Sequence, residues 1–219
     1  MHRRPCRIRC LARVWLPALA SLAGVFLTPL LVQAQTAGER LLPYKQDPYP
    51  STYQRLSSEP TAIVNATILD GAGREIEGGT VLMEDGRITA IGTDVQVPSG
   101  VRVFDASGKW VTPGIIDIHT HTGAFGSQHP ALSEGNEMTG PVQARVWVEH
   151  SLWPQAPGFS RALAGGVTTM QLLPGSGNLI GGRSVILKNV QARTMQGMKF
   201  PGAPYGLKMA CGENPKRAY

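Results

Sequence analysis

The run Pro113-Gly114-Ile115-Ile116-Asp117-Ile118-His119-Thr120-His121 limits the fold more than any other part of the chain. A strand with one solvated side alternates apolar and polar residues, whereas Ile115, Ile116 and Ile118 put branched apolar side chains on both faces. Such a strand is expected inside a parallel sheet covered by helices. A Gly/Ser/Asn-rich loop follows over 123–140. Pro141 to Trp153 then carries a helical pattern, broken by Pro154 and Pro157, and Phe159 to Ala164 reads as a short helix stopped by Gly165-Gly166. Val167 to Leu173 is a second buried strand. Strand, helix, strand is the unit of a parallel α/β fold. Beyond it, Gly175-Ser176-Gly177-Asn178 and Gly181-Gly182 read as a flexible loop at the strand's C-terminal end. Ser184 to Lys188 is a further short strand, and the chain from Met195 reads as loop, with Met195 and Met198 as packing residues.

The segment before this run has a different texture. Ala62 to Ile68, Thr80 to Glu84, Arg87 to Ile91 and Val101 to Asp105 are short β-rich runs separated by turn residues. Asp85-Gly86 is a two-residue hairpin signal. Close, regular spacing of such strands predicts a small antiparallel β-sandwich over 61–112. Residues 35–60 are rich in proline and polar residues and read as an extended leader.

The chain's start belongs to no fold. Arg3, Arg4, Arg7, Arg9 and Arg13 precede an apolar run from Val14 to Val32, and Val32-Gln33-Ala34 offers a cleavage site. This order is that of a secretory signal over 1–34, the alternative being an uncleaved anchor. It predicts export to the periplasm or the exterior, with no stable membrane insertion once the signal is cut. The full chain has 21 Lys and Arg against 15 Asp and Glu. Five of those arginines precede residue 35 and no acid does, so the remainder is nearly neutral. The clustered basic footprint of a nucleic-acid-binding protein is missing. Cys6 and Cys10 leave with the signal, and the remaining Cys211 has no partner for a disulfide.

The chemistry concentrates at the end of the apolar strand. Side chains of a strand alternate with period two, so Asp117, His119 and His121 share a face. Two imidazoles at the C-terminal end of a parallel strand can hold one divalent cation, and that end is where α/β barrels keep their active sites. Neutral imidazole suits Zn and related metals. Asp117 is the candidate catalytic carboxylate, either orienting a metal ligand or capping the local turn. Lys208 or Glu213 either supplies a bridging ligand or belongs to a solvated loop. His129 and His150 fall in a loop and a helix and are expected to be exposed or locally hydrogen-bonded. Gly175, Gly177, Gly181 and Gly182 either cradle a substrate or let the loop turn.

Val111 to His121 resembles the first-strand signature of the amidohydrolase superfamily. Met83-Glu84-Asp85-Gly86-Arg87-Ile88 resembles that superfamily's N-terminal β-domain, and Ala164-Gly165-Gly166-Val167-Thr168-Thr169 its second barrel strand. Leu173 to Gly182, with Gly212 to Arg217, is similar to an imidazolonepropionase-related branch. The resemblance spans residues 61 to 219. It implies that His119 and His121 hold one or two divalent ions, Zn above others. It further implies that later-strand histidines and an aspartate complete the site, with a carboxylated lysine or a glutamate bridging a second metal in some members. The implied activity is hydrolysis of a C–N bond in a cyclic amide, amidine or peptide-like small molecule.

A (β/α)8 barrel takes about 250 residues. Residues 113–219 are therefore expected to form the first part of an incomplete TIM-type barrel, inactive in isolation, with exposed sheet edges that favour association. The rival expectation is a non-catalytic exported relative that binds a metal or a partner.

Overall fold

The structure is a computed structural model that describes residues 47–125 and 135–219. Residues 49–219 form one compact unit. The expected export signal, the first part of the leader, and His129 lie outside the described residues.

Five strands make the first sheet: β1 (Thr61–Leu69), β2 (Glu75–Glu84), β3 (Arg87–Gly92), β4 (Arg102–Asp105) and β5 (Trp110–Val111). The β2–β3 hairpin forms as its turn residues dictate. Asp85 and Gly86 both take positive φ, 49° and 64°, the pairing that a twisted two-residue hairpin requires, and Glu84 faces Arg87 across it. The sheet runs β3-β2-β1-β4, with β5 also on β1. It is mixed, which corrects the antiparallel expectation: β4 and β5 lie parallel to β1. The connections from β1 to these short strands are long enough to cross over, and strand spacing alone does not reveal direction. Ala66, Ile68, Val81 and Ala106 form a small core on this sheet.

The second sheet is β6 (Ile115–Thr120), β7 (Val167–Leu172) and β9 (Val185–Lys188), in the order β6-β7-β9. β6 and β7 are parallel, with helix α1 (Pro157–Ala164) between them in sequence; Pro157 opens that helix, where a missing N–H costs nothing. β9 returns antiparallel to β7, so this part of the chain is not a plain run of parallel barrel strands. The main core lies on β7 and β9: Met170, Leu172, Val185 and Leu187 pack with Phe159, Met195 and Met198. β6 departs from expectation. Among the described residues it pairs with β7 alone, and Ile115, Ile116 and Ile118 are 52%, 65% and 73% exposed. Its composition anticipated two covered faces, but these apolar side chains are uncovered.

A third, two-stranded sheet pairs β8 (Ile180–Arg183) with β10 (Leu207–Met209) in antiparallel fashion. Sequence reading placed both in loops. Gly182 is required here both by its backbone, at φ 120°, and by close approach: a Cβ would fall 2.7 Å from the Val146 carbonyl oxygen, which itself accepts the Arg183 N–H at 2.7 Å. The same contacts explain why Pro141 to Trp153 is not an α-helix. Val142 and Trp147 bridge to Ile180 and Arg183, so the segment follows β8, with a turn at 143–146 where the Val146 N–H bonds the Gln143 carbonyl at 3.0 Å and a 3₁₀ turn at Val148–Ser151. Three β-branched valines, with their modest helix propensity, give way to those backbone partners. Two short helices complete the chain, α2 (Met195–Met198) and α3 (Glu213–Ala218), where loop was expected. Among the described residues no helix is long and apolar enough to cross a membrane.

Candidate metal centre

β6 delivers His119 near its end and His121 one residue beyond it, and period two brings their rings together. The centroids lie 5.3 Å apart, edge to face. The end of β6 is laced to the end of β7: the Leu173 N–H donates to the Thr120 carbonyl at 3.0 Å, and the Leu173 carbonyl sits 2.8 Å from Nδ1 of His121. A carbonyl only accepts, so Nδ1 carries the proton and Nε2 of His121 keeps its lone pair. His119 is exposed and within reach of a dissolved ion.

Lys208, on β10, comes from far along the chain to meet this pair. Its Nζ lies 3.1 Å from Nε2 of His119. An ammonium or an amine has an N–H to give, so Nε2 of His119 is the accepting nitrogen. Lys208 is only 8% exposed, and burial lowers its pKa. The His119 pKa is lowered too, by the Lys208 charge first, then by desolvation and the charge of His121, against an upward pull from Asp117. The surroundings therefore favour a neutral imidazole at position 119, the form that binds metals.

The other candidates separate clearly. Asp117 accepts the backbone N–H of His119 at 3.0 Å, so its carboxylate holds the end of β6 that presents the ring. Glu213 pairs with Arg217 at 3.2 Å on the exposed α3. His150 is exposed and packs edge-on against Tyr49 and flat against Trp147. Of the residues weighed as a bridging ligand, the fold brings Lys208 to the histidines and leaves Glu213 on a surface helix. The lysine's place was not readable, because in Leu207-Lys208-Met209 the apolar neighbours are exposed, at 48% and 64%, and the charged residue is inside.

Nε2 of His121 keeps its lone pair, and a divalent cation would take over that of His119 Nε2 from the Lys208 contact; both nitrogens suit such a cation in donor chemistry. Among the described residues, no group of three His, Cys, Asp or Glu side chains converges to complete a ligand set.

A strand-end imidazole pair in an α/β sheet is the kind of centre that metal-assisted hydrolases use, and the comparisons with known proteins point to that class. No family model matches the chain. It is 34% identical over 157 residues to amidohydrolase tasK of Hapsidospora irregularis, covering 64% of this chain and 16% of that protein. It is 30% identical over 120 residues to an imidazolonepropionase of Chromobacterium violaceum, covering 47% of this chain and 29% of the relative. A dihydroorotase of Listeria monocytogenes is 28% identical over 141 residues, covering 64% and 27%. In three dimensions the chain is similar to the crystal structure of an amidohydrolase from Thermotoga maritima MSB8. The TM-score is 0.66 at 36% identity, over 73% of this chain and 41% of that one. These relatives are hydrolases acting on C–N bonds, and the amidohydrolase superfamily fits the part of the chain they cover. The chain spans less than half the length of each.

Proposed function

We propose that residues 113–219 carry the metal-gripping part of a hydrolase that cleaves a C–N bond in a small molecule such as a cyclic amide, amidine or peptide-like compound. The observation that carries this reading is the His119–His121 pair with the Leu173 carbonyl fixing the tautomer of His121. Both rings would offer Nε2 to a divalent ion, Zn being the metal that imidazole and a compact site suit. When bound, such an ion supplies a lowered water pKa and polarisation of a carbonyl. Asp117 holds the His119 backbone in place. Lys208 keeps a buried amine at the pair, and the resemblance to amidohydrolases gives that amine a role: as its carbamate it would add an anionic oxygen donor for a second ion. The similarity to an imidazolonepropionase and a dihydroorotase supports a cyclic amide as the substrate class.

One observation favours a second reading, a metal-binding protein without turnover. A catalytic zinc site takes three protein ligands and a water, and the described residues bring two imidazoles and an amine together. Both readings are tested by zinc content and amidase turnover, measured on the 219-residue protein and on a His119→Ala/His121→Ala variant. The proposal predicts about one zinc or more per chain in the parent and none retained in the variant. Equal zinc in both removes the site. Zinc uptake without turnover agrees with the expectation that these residues are inactive in isolation and with the second reading alike, whereas zinc-dependent turnover establishes the first and overturns that expectation.

A further inference from the structure

A cavity of about 430 Å3 lies between α1 and the segment that follows β9, within the size range of small-molecule pockets. Pro157, Phe159 and Leu163 line it from α1, and Val190 and Ala192 from the other side. Arg193 is the one charged residue in the described lining, which holds no acid. No ion pair engages its guanidinium among the described residues. The lining also takes in the start of α1 at Ala156 and Pro157, where the helix dipole adds partial positive charge.

The walls are held in place without a ligand. The Asn189 side-chain amide donates to the carbonyls of Phe159 and Val167, at 3.0 and 2.8 Å, and so ties the β9 exit to α1 and β7. The Gln155 amide donates to the carbonyls of Ala192 and Arg193, at 3.2 and 3.3 Å. A cavity already shaped loses little entropy on binding. It also lies away from the imidazole pair. Asn189 bonds the Thr168 carbonyl near the first residue of β7, whereas His121 bonds Leu173, just past the last. Five residue steps along this strand separate these points by about 17 Å.

We propose that this cavity binds a small amphiphile with a single anionic group, a medium-chain or aryl carboxylate, with its apolar body against α1 and its anion on Arg193. The apolar walls reward hydrocarbon, and an unpaired guanidinium with no competing acid selects negative charge. The inference does not depend on the hydrolase reading.

Calorimetric titration of the 219-residue protein with octanoate, octanol and octylammonium tests it. Saturable binding of one octanoate is expected, weakened about tenfold when Arg193→Gln removes the charge-assisted contact or when the carboxylate is replaced by a hydroxyl or an ammonium. Arg193 is exposed, so its substitution spares the core. Leu163→Trp, checked for native circular dichroism, fills the cavity and is expected to abolish binding. His119→Ala/His121→Ala is expected to bind octanoate as the parent does, which separates this site from the metal centre. Octanoate binding only at high millimolar concentration, equal binding of the three compounds, indifference to Arg193→Gln or Leu163→Trp, or loss of binding in the double histidine variant would each overturn the proposal.

Discussion

A single backbone carbonyl decides which nitrogen of His121 is available, and single contacts set the behaviour of several other side chains. Asp70 is one. Its carboxylate takes Nε of Arg74 at 2.6 Å and the backbone N–H groups of Ala72 and Arg74 at 2.8 and 3.0 Å. The side-chain bond from Arg74, followed by those two N–H groups, lowers its pKa from 3.8 to about 2. A carboxylate depressed in the folded state contributes stability that is complete above its unfolded value of 3.8 and lost as pH falls through about 2. Arg74→Ala is expected to move the Asp70 titration, followed by NMR, upward toward the ordinary carboxylate range; an unmoved titration would contradict this cause. At this scale the sequence was informative where neighbours are local. His119 and His121 could be brought together because period two acts over three residues. Lys208 could not be placed beside them, because nothing near it in the chain announces a partner 89 residues away.

Elements were legible where local chemistry dictates them and obscure where tertiary partners do. Asp85-Gly86 forces its turn through backbone sterics, and α1 ends at Gly165-Gly166 as its glycines anticipate. The Gly181-Gly182 pair was misleading, since glycine marks both a flexible loop and a backbone pressed by a neighbour, and only the fold shows Val146 against it. The 141–153 segment was misread as a helix for the same reason. Its 3₁₀ turn carries Glu149, fully buried, whose carboxylate pairs with Lys199 at 3.0 Å and accepts from the Tyr205 hydroxyl at 3.1 Å. Lys199 also donates to the Tyr49 carbonyl at 2.6 Å, so one ammonium joins the 3₁₀ turn, the exit of α2 and the arm before β1. Glu149→Ala leaves a buried ammonium without its carboxylate and is expected to cost about 3–5 kcal/mol in chemical denaturation. Glu149→Leu/Lys199→Met, which removes both charges at similar volume, is expected to be far milder. A single variant as stable as the parent would show that the pair is solvated in solution.

For the molecule as a whole, the candidate metal centre and the core occupy different parts of one strand system. β7 is central, with β9 and α1 supplying the core around it, and its far end fixes His121. β6, which carries the histidines, is at the edge, and its three isoleucines are exposed. The apolar run correctly announced a strand, but an apolar side chain states a preference for burial and not what does the burying. The mixed first sheet was obscured in a comparable way, since β4 and β5 have the length and turns of hairpin strands yet run parallel to β1. The proposed role of the strand-end imidazoles rests on one bond geometry. A crystal of the 219-residue protein grown with zinc and measured above the zinc absorption edge examines it directly. The account predicts an anomalous peak about 2.0–2.1 Å from Nε2 of both His119 and His121. Density at any other place, or at one ring alone, would contradict it.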